Sequence, residues 1–249
     1  MEKLTMSNHL STVSMLPAEF YRRQILGLLI MAVVFGSVSQ NSRLDFWITD
    51  FWYQASTHSF PWKDNYWLEL INHKAMKYMI IISAICALFW GVYQRNIQLV
   101  VTMLLMGLGV LAVGILKAVS IHSCPWSLTE YGGSAAYIPL LTSLPAGANS
   151  GPGSCFPGGH ASSGFSLMAL FFLLYPLRIK AAWLCWLAGL LLGMAMGFGQ
   201  VMRGAHFLSH NLWSGWWVWL TQVLSYWLIS HCIAYYGRHS QRVLINGSA

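Results

Sequence analysis

The sequence predicts an all-α, polytopic membrane protein, a bundle of about six transmembrane helices forming a single domain over residues 1–249. Three observations predict it. Hydrophobic residues make up 56% of the chain and charged residues only 8%, a balance too apolar for a water-soluble domain. Six apolar runs, near 24–40, 78–93, 97–119, 161–177, 181–202 and 212–236, approach the roughly 17–25 residues with which a helix crosses a bilayer. Each run is continuously apolar, which excludes the period-2 alternation of a membrane barrel.

Taken in order, the first twenty residues are polar and mixed, and Arg22 and Arg23 precede the first run. That run is longer than a signal-peptide core and lacks a small-x-small cleavage site, so it reads as an uncleaved anchor. An outside segment follows at about 41–77, and its aromatic spacing from Leu44 to Tyr53 suits a short helix lying in the interface. The second and third runs are joined by a short turn carrying Arg95. A second outside segment, about 120–159, is rich in Gly, Pro and Ser; a loop of that length marks function or disorder. The last three runs are separated by short turns, at Arg178 to Lys180 and at Arg203 to Ser209, with neither an internal repeat nor a linker.

Charge sets the orientation. With the N-terminus inside, eight of the 14 Lys and Arg residues fall on inside segments, Lys3, Arg238 and Arg242 among them, against only Glu2 and Glu19; the outside segments hold six basic and five acidic residues. The positive-inside rule then places both termini in the cytoplasm and the two long loops in the periplasm, across a bacterial inner membrane. The formal charge of +7 follows from this topology, so the expected partner is the lipid bilayer and not nucleic acid. Trp and Tyr crowd the segment ends, as at Trp47, Trp52, Trp62, Trp67, Trp216 and Trp217, in the manner of interfacial belts.

Of five cysteines, Cys86, Cys185 and Cys232 fall inside apolar runs, while Cys124 and Cys155 share the second outside loop. An oxidising compartment favours pairing those two, and a bridge closing about 30 residues stabilises by roughly 3–4 kcal/mol on the loop-entropy account. The alternative is two buried, unpaired thiols.

Polar groups at the bilayer are costly unless paired or hydrated, so their placement is informative. Lys117 lies about 20 residues beyond Ile97, roughly 30 Å up a helix, at the outer boundary. His160 opens the fourth run, Arg203 ends the fifth, and His206 lies in the turn before the sixth. All four come to one depth on one side. Gly158 and Gly159 put small residues around a helix start, where free N–H groups and the dipole favour an anion. Lys117 and Arg203 add positive charge that suits phosphate, and two histidines supply a nucleophile and a proton donor.

Lys117-x6-Cys124-Pro125, then Pro157-Gly158-Gly159-His160, then Arg203-Gly204-Ala205-His206-Phe207-Leu208-Ser209-His210 resembles the three-part signature of the type 2 phosphatidic acid phosphatase superfamily, similar in site to vanadium haloperoxidases. The resemblance covers about 117–210. It implies a membrane phosphatase, needing no metal or other cofactor, that removes phosphate from a lipid phosphate or isoprenyl pyrophosphate at the outer leaflet. His206 would attack phosphorus to form a phosphohistidine, His160 would protonate the leaving oxygen, and Lys117, Arg203, Gly158 and Gly159 would hold the phosphate. Four positions depart from the pattern: Cys124 stands for Arg, Gly158 for Ser, Gln200 for Arg and His210 for Asp. His210 is the orienting partner of His206 that the motif offers; Asp45, Asp50, Glu69 and Glu130 are acidic alternatives on the outside segments.

Three other readings stay open on the residues. A lipid phosphotransferase would share the phosphohistidine. His206 and His210, four apart, suit a His-ligated metal or haem. Polar helix ends also serve a transporter or a non-enzymatic scaffold, although the lack of inverted repeats counts against many transporter folds.

Overall fold

The computed structural model describes residues 13–41, 43–140 and 142–246, without the side chains of 41, 73 and 237–246. Glu2 and Lys3 and the Arg238 and Arg242 side chains, counted above among the inside charges, lie outside that description. The fold is all-α and 70% helical, with no strand among the described residues. The helices are α1 (Ala18–Asn41), α2 (Arg43–Asp50), α3 (Met76–Tyr93), α4 (Ile97–Ala118), α5 (Gly159–Ser166), α6 (Leu170–Leu174), α7 (Ile179–Met202) and α8 (Leu208–Asn246). A wider π-helical turn, Leu68–Ala75, leads directly into α3, and a tight 3₁₀ turn, Leu167–Ala169, joins α5 to α6.

Four stretches are long and apolar enough to cross a membrane: Ala18–Gln40, Leu68–Tyr93, Ile97–Ala118 and Ile179–Met202. The other two of the six expected spans are helical but differ in kind. The fourth is the short Gly159–Leu174 stretch, wound partly as 3₁₀ and buried in the bundle. The sixth, α8, is 39 residues long and rich in Trp, Tyr and Ser, with a lower mean hydropathy than α4 or α7.

Local chemistry accounts for the boundaries that matter to the site. Asn96 caps α4, its Oδ1 accepting the Leu99 N–H at 3.0 Å, as an N-cap asparagine does. The expected interfacial helix appears as α2, but it turns Asp45 and Thr49 inward and rests on the start of α8. In the buried α5 to α6 stretch, the Ser166 carbonyl accepts from Gln222 Nε2 at 2.9 Å and the Phe172 carbonyl from Gln98 Nε2 at 2.6 Å. Water is scarce at that depth, so side-chain amides supply the partners.

The bundle closes around α5. It packs against α4, α7 and α8, with Leu105, Val113, Phe165, Phe171, Phe172, Val218 and Tyr226 forming a continuous core. The α5 to α7 contact is a glycine seam: a Cβ on Gly164 would lie 2.6 Å from Gly193 Cα, and one on Gly189 would lie 2.6 Å from the Met168 nitrogen. Close backbone approach of this kind is how helices associate in lipid without a hydrophobic driving force. Above the bundle, Phe60, Leu128, Tyr131, Ala135 and Phe207 make a second, smaller core, joined to α2 by a 2.8 Å hydrogen bond from the Tyr131 hydroxyl to Asp50.

Gly164→Val is expected to destabilise the detergent-solubilised protein by about 1–3 kcal/mol or more, the usual cost of overpacking. Gly107→Ala, where a Cβ meets nothing within 4 Å, is expected to leave the melting temperature in place. Equal melting temperatures for the two variants would contradict the seam.

Candidate active site

Lys117 is the last but one residue of α4, and its stem lies over the start of α5: a Cβ on Gly159 would be 3.3 Å from Lys117 Cδ. Glycine at 159 leaves that space open. His160 follows it in the first turn of α5. Gly158 is the N-cap in extended backbone and no side chain caps the helix, so its first N–H groups lack a side-chain acceptor. The Gly158 N–H itself donates to the His210 carbonyl at 2.9 Å. A side chain at 158 would overlap the Asn211 amide, which occupies that space. Asn211 Nδ2 donates to the carbonyls of Gly197 at 3.1 Å and Phe207 at 3.3 Å, tying α7, the following turn and the Gly158 loop together.

The turn between α7 and α8 presents the second histidine. Gly204 has φ +70, and the Phe60 ring lies 2.5 Å from where its Cβ would be, so both the backbone and the space call for glycine. The Gln200 carbonyl accepts the N–H groups of Ala205 at 2.9 Å and His206 at 3.3 Å. His206 is buried, 2% exposed, with its ring centroid 6.4 Å from that of His160 and 5.8 Å from that of His210. Beyond it, Asp45 Oδ1 accepts the Ser209 N–H at 2.9 Å, a carboxylate set at the start of α8 where the helix dipole favours it. Burial pushes the Asp45 carboxyl up, against the hydrogen bonds from Ser209 that hold it down.

Burial first, and then the nearby Lys117, His210 and His160, drive His206 well below the ordinary imidazole range. At neutral pH its ring is uncharged and keeps a nitrogen lone pair. A neutral imidazole beside a lysine is suited to attack on an anionic centre, since the cation attracts what the ring attacks.

Lys117, Gly158, Gly159, His160, His206 and His210 therefore come together. Arg203 is turned to a different neighbour: Nη1 lies 2.7 Å from Glu69 Oε2, and Nε donates to the Lys63 carbonyl at 2.9 Å. The Gln200 amide donates to Asn72 Oδ1 at 3.2 Å. The four acidic alternatives all have work elsewhere. Asp45 caps α8, Asp50 accepts from Tyr131, Glu69 pairs with Arg203 and with Lys74 at 3.3 Å, and Glu130 accepts from Thr129 at 3.0 Å.

Cys124 and Cys155 are joined as a disulfide, Cα to Cα 5.2 Å. The bridge ties the chain after α4 to the chain before α5 and lies against His206, whose Nδ1 is 3.3 Å from Cys155 Sγ. Among the described residues, Cys124, Cys155 and His206 are the grouping with donor atoms close enough for a metal, and the bridge engages both sulfurs. His122 and Asn211 also border this cluster, and neither is among the residues that the sequence singled out. The His122 ring lies 5.6 Å from Phe156, which lies 5.5 Å from His210, and burial lowers its pKa. Its position between Lys117 and Cys124, inside the first motif, is the signal that could have found it.

The family model of the PAP2 superfamily matches residues 96–234, a stretch containing every residue of this cluster. No curated protein and no solved structure matches the chain. Members of the superfamily are phosphatases acting on phosphate esters. The matched stretch is more than half of the chain and carries all three motifs in order, and the chain belongs to the PAP2 superfamily.

Proposed function

We propose that the protein is a membrane phosphatase that hydrolyses a lipid phosphate or isoprenyl pyrophosphate through a phosphohistidine on His206. The observation that carries this reading is the meeting of His160 and His206, ring centroids 6.4 Å apart, at an α5 start over which Lys117 lies. The substrate phosphate sits at the uncapped N-terminus of α5, against Gly158 and Gly159, with the Lys117 ammonium beside it. The His206 lone pair attacks phosphorus as the bond to the leaving oxygen breaks, and His160 gives that oxygen its proton. Water then attacks the phosphohistidine with His160 taking its proton, which releases phosphate and restores His206. Arg203 spends Nε on Lys63 and Nη1 on Glu69; the remaining nitrogen of its guanidinium fork is the one offered to phosphate.

The site faces the periplasm in this reading, with both termini in the cytoplasm and the lipid chain in the outer leaflet. The bridged loop supports that sidedness, since disulfides persist in oxidising compartments. A lipid phosphotransferase passes through the same phosphohistidine and differs only in the acceptor, so product analysis separates the two.

Phosphate release is the test, measured on phosphatidate, phosphatidylglycerol phosphate, undecaprenyl pyrophosphate and lipid A. His206→Ala and His160→Ala are each expected to lower kcat by at least about 10²-fold, the scale for losing a nucleophile or a general acid. Native rates in both variants would end the assignment.

The pH profile offers a second check. The His206 pKa is lowered, so the nucleophile stays unprotonated as pH falls through the ordinary imidazole range of about 6.5. The loss of kcat/KM that reports its protonation is therefore expected on the acid side of pH 6.5, and a loss centred above it would contradict the buried, neutral nucleophile.

A further inference from the structure

An imidazole nucleophile needs one ring nitrogen held as a donor so that the other offers its lone pair, and the group behind the ring decides which. Four residues after His206 the chain has His210, whose Nδ1 is buried with no hydrogen-bond partner. The acidic side chains near the site are committed elsewhere. What does lie behind His206 is Cys155. Its Sγ is 3.3 Å from His206 Nδ1 and 3.0 Å from the Ala205 carbonyl oxygen.

Cys155 is held unusually firmly for a loop residue. It is fully buried. Its N–H donates to the His122 carbonyl at 2.9 Å, the preceding Ser154 N–H donates to the Ser120 carbonyl at 2.7 Å, and its sulfur is bonded to Cys124. These ties fix it to the segment that leaves α4 directly after Lys117. The same bridge thus sets the cation and the back of the nucleophile relative to one another.

We propose that Cys155, clamped by its disulfide to Cys124, is the positioning residue for His206: its sulfur takes the Nδ1 side of the ring and leaves Nε2 to attack. The proposal rests on the phosphohistidine reading above. It makes the bridge a condition of turnover. A phosphine reductant gives up two electrons and becomes its oxide, with water supplying the oxygen and the two protons; the disulfide becomes two thiols, which releases the clamp and lets the ring adopt either tautomer. The groups that face His206 are Lys117 from α4, His160 from α5, His210 from α8 and the bridge itself. None of them is a carboxylate that would hold the ring in its place.

The test uses the full-length protein in detergent with phosphatidate as substrate, native, phosphine-reduced and as Cys124→Ser. Histidine ¹⁵N spectra are read beside kinetics, with His206→Ala assigning the His206 signals. The native spectrum is expected to show His206 protonated on Nδ1. Opening the bridge is expected to mix the tautomers and lower kcat by roughly 10- to 100-fold, the scale for losing an outer partner of a reacting imidazole, with KM little changed. His210→Asp in the bridge-free protein is expected to restore much of kcat by supplying a carboxylate. A native spectrum with His206 protonated on Nε2 overturns the proposal without any variant. So do an unchanged tautomer and kcat in bridge-free protein that melts normally. Failure of the phosphatase reading looks different: the tautomer still responds to the bridge, but native protein releases no phosphate.

Discussion

Everything at the site depends on how closely α5 and α7 approach. His160 stands on the first of these helices and His206 on the turn that leaves the second, so their separation is set by the distance between two backbones. Gly164, Gly189 and Gly193 remove the side chains that would hold those backbones apart, and Gly197 does the same where the Asn211 amide enters, with Cγ 2.6 Å from the place a Cβ would occupy. In lipid, such contacts supply much of the cohesion between helices. The residues that keep the bundle together are thus also the residues that determine whether the two imidazoles share one ligand.

The electrostatics follow from burial. A lysine stem laid across a glycine, an uncapped helix start and a ring stripped of water all favour an incoming anion. The same burial keeps His206 uncharged, so the attraction comes from Lys117 and the backbone while the ring retains its lone pair. Arg203 shows the complementary device. Its pairing with Glu69 holds a guanidinium at the rim with part of its charge already answered.

Much of this was legible in the sequence because it is local. The apolar runs mark the helices, a count of residues from Ile97 places Lys117 at the end of its span, and two cysteines in one Gly-, Pro- and Ser-rich loop point to the bridge. What was not legible depends on partners far along the chain. Arg203 sits at a helix end by any local reading, but its direction is set by Glu69, 134 residues earlier, and by the Lys63 carbonyl. The polar stretch Leu68–Ala75 gave no apolar signal, yet it is helical because Asn72 finds the Ala195 carbonyl and Gln200 on α7. The sixth run reads as starting near 212; α8 starts at Leu208 because a carboxylate from α2 caps it. The departure at Gly158 is explained by Asn211, which fills the space that a serine would need.

The short winding of Gly159–Leu174 bears on how anything arrives at His160. At about 1.5 Å per residue it extends roughly 24 Å, less than the roughly 30 Å thickness of a typical hydrocarbon core. Its neighbours shield it from lipid, so it escapes the mismatch a lone helix of that length would suffer. If the substrate is a lipid, as proposed, and the far end of this stretch lies at the opposite interface, a headgroup bound for its first turn would have to sink several ångströms below its fellows, unless the surrounding leaflet thins to meet it. Membrane thickness thereby becomes a variable in access to the pocket, independent of any side chain within it.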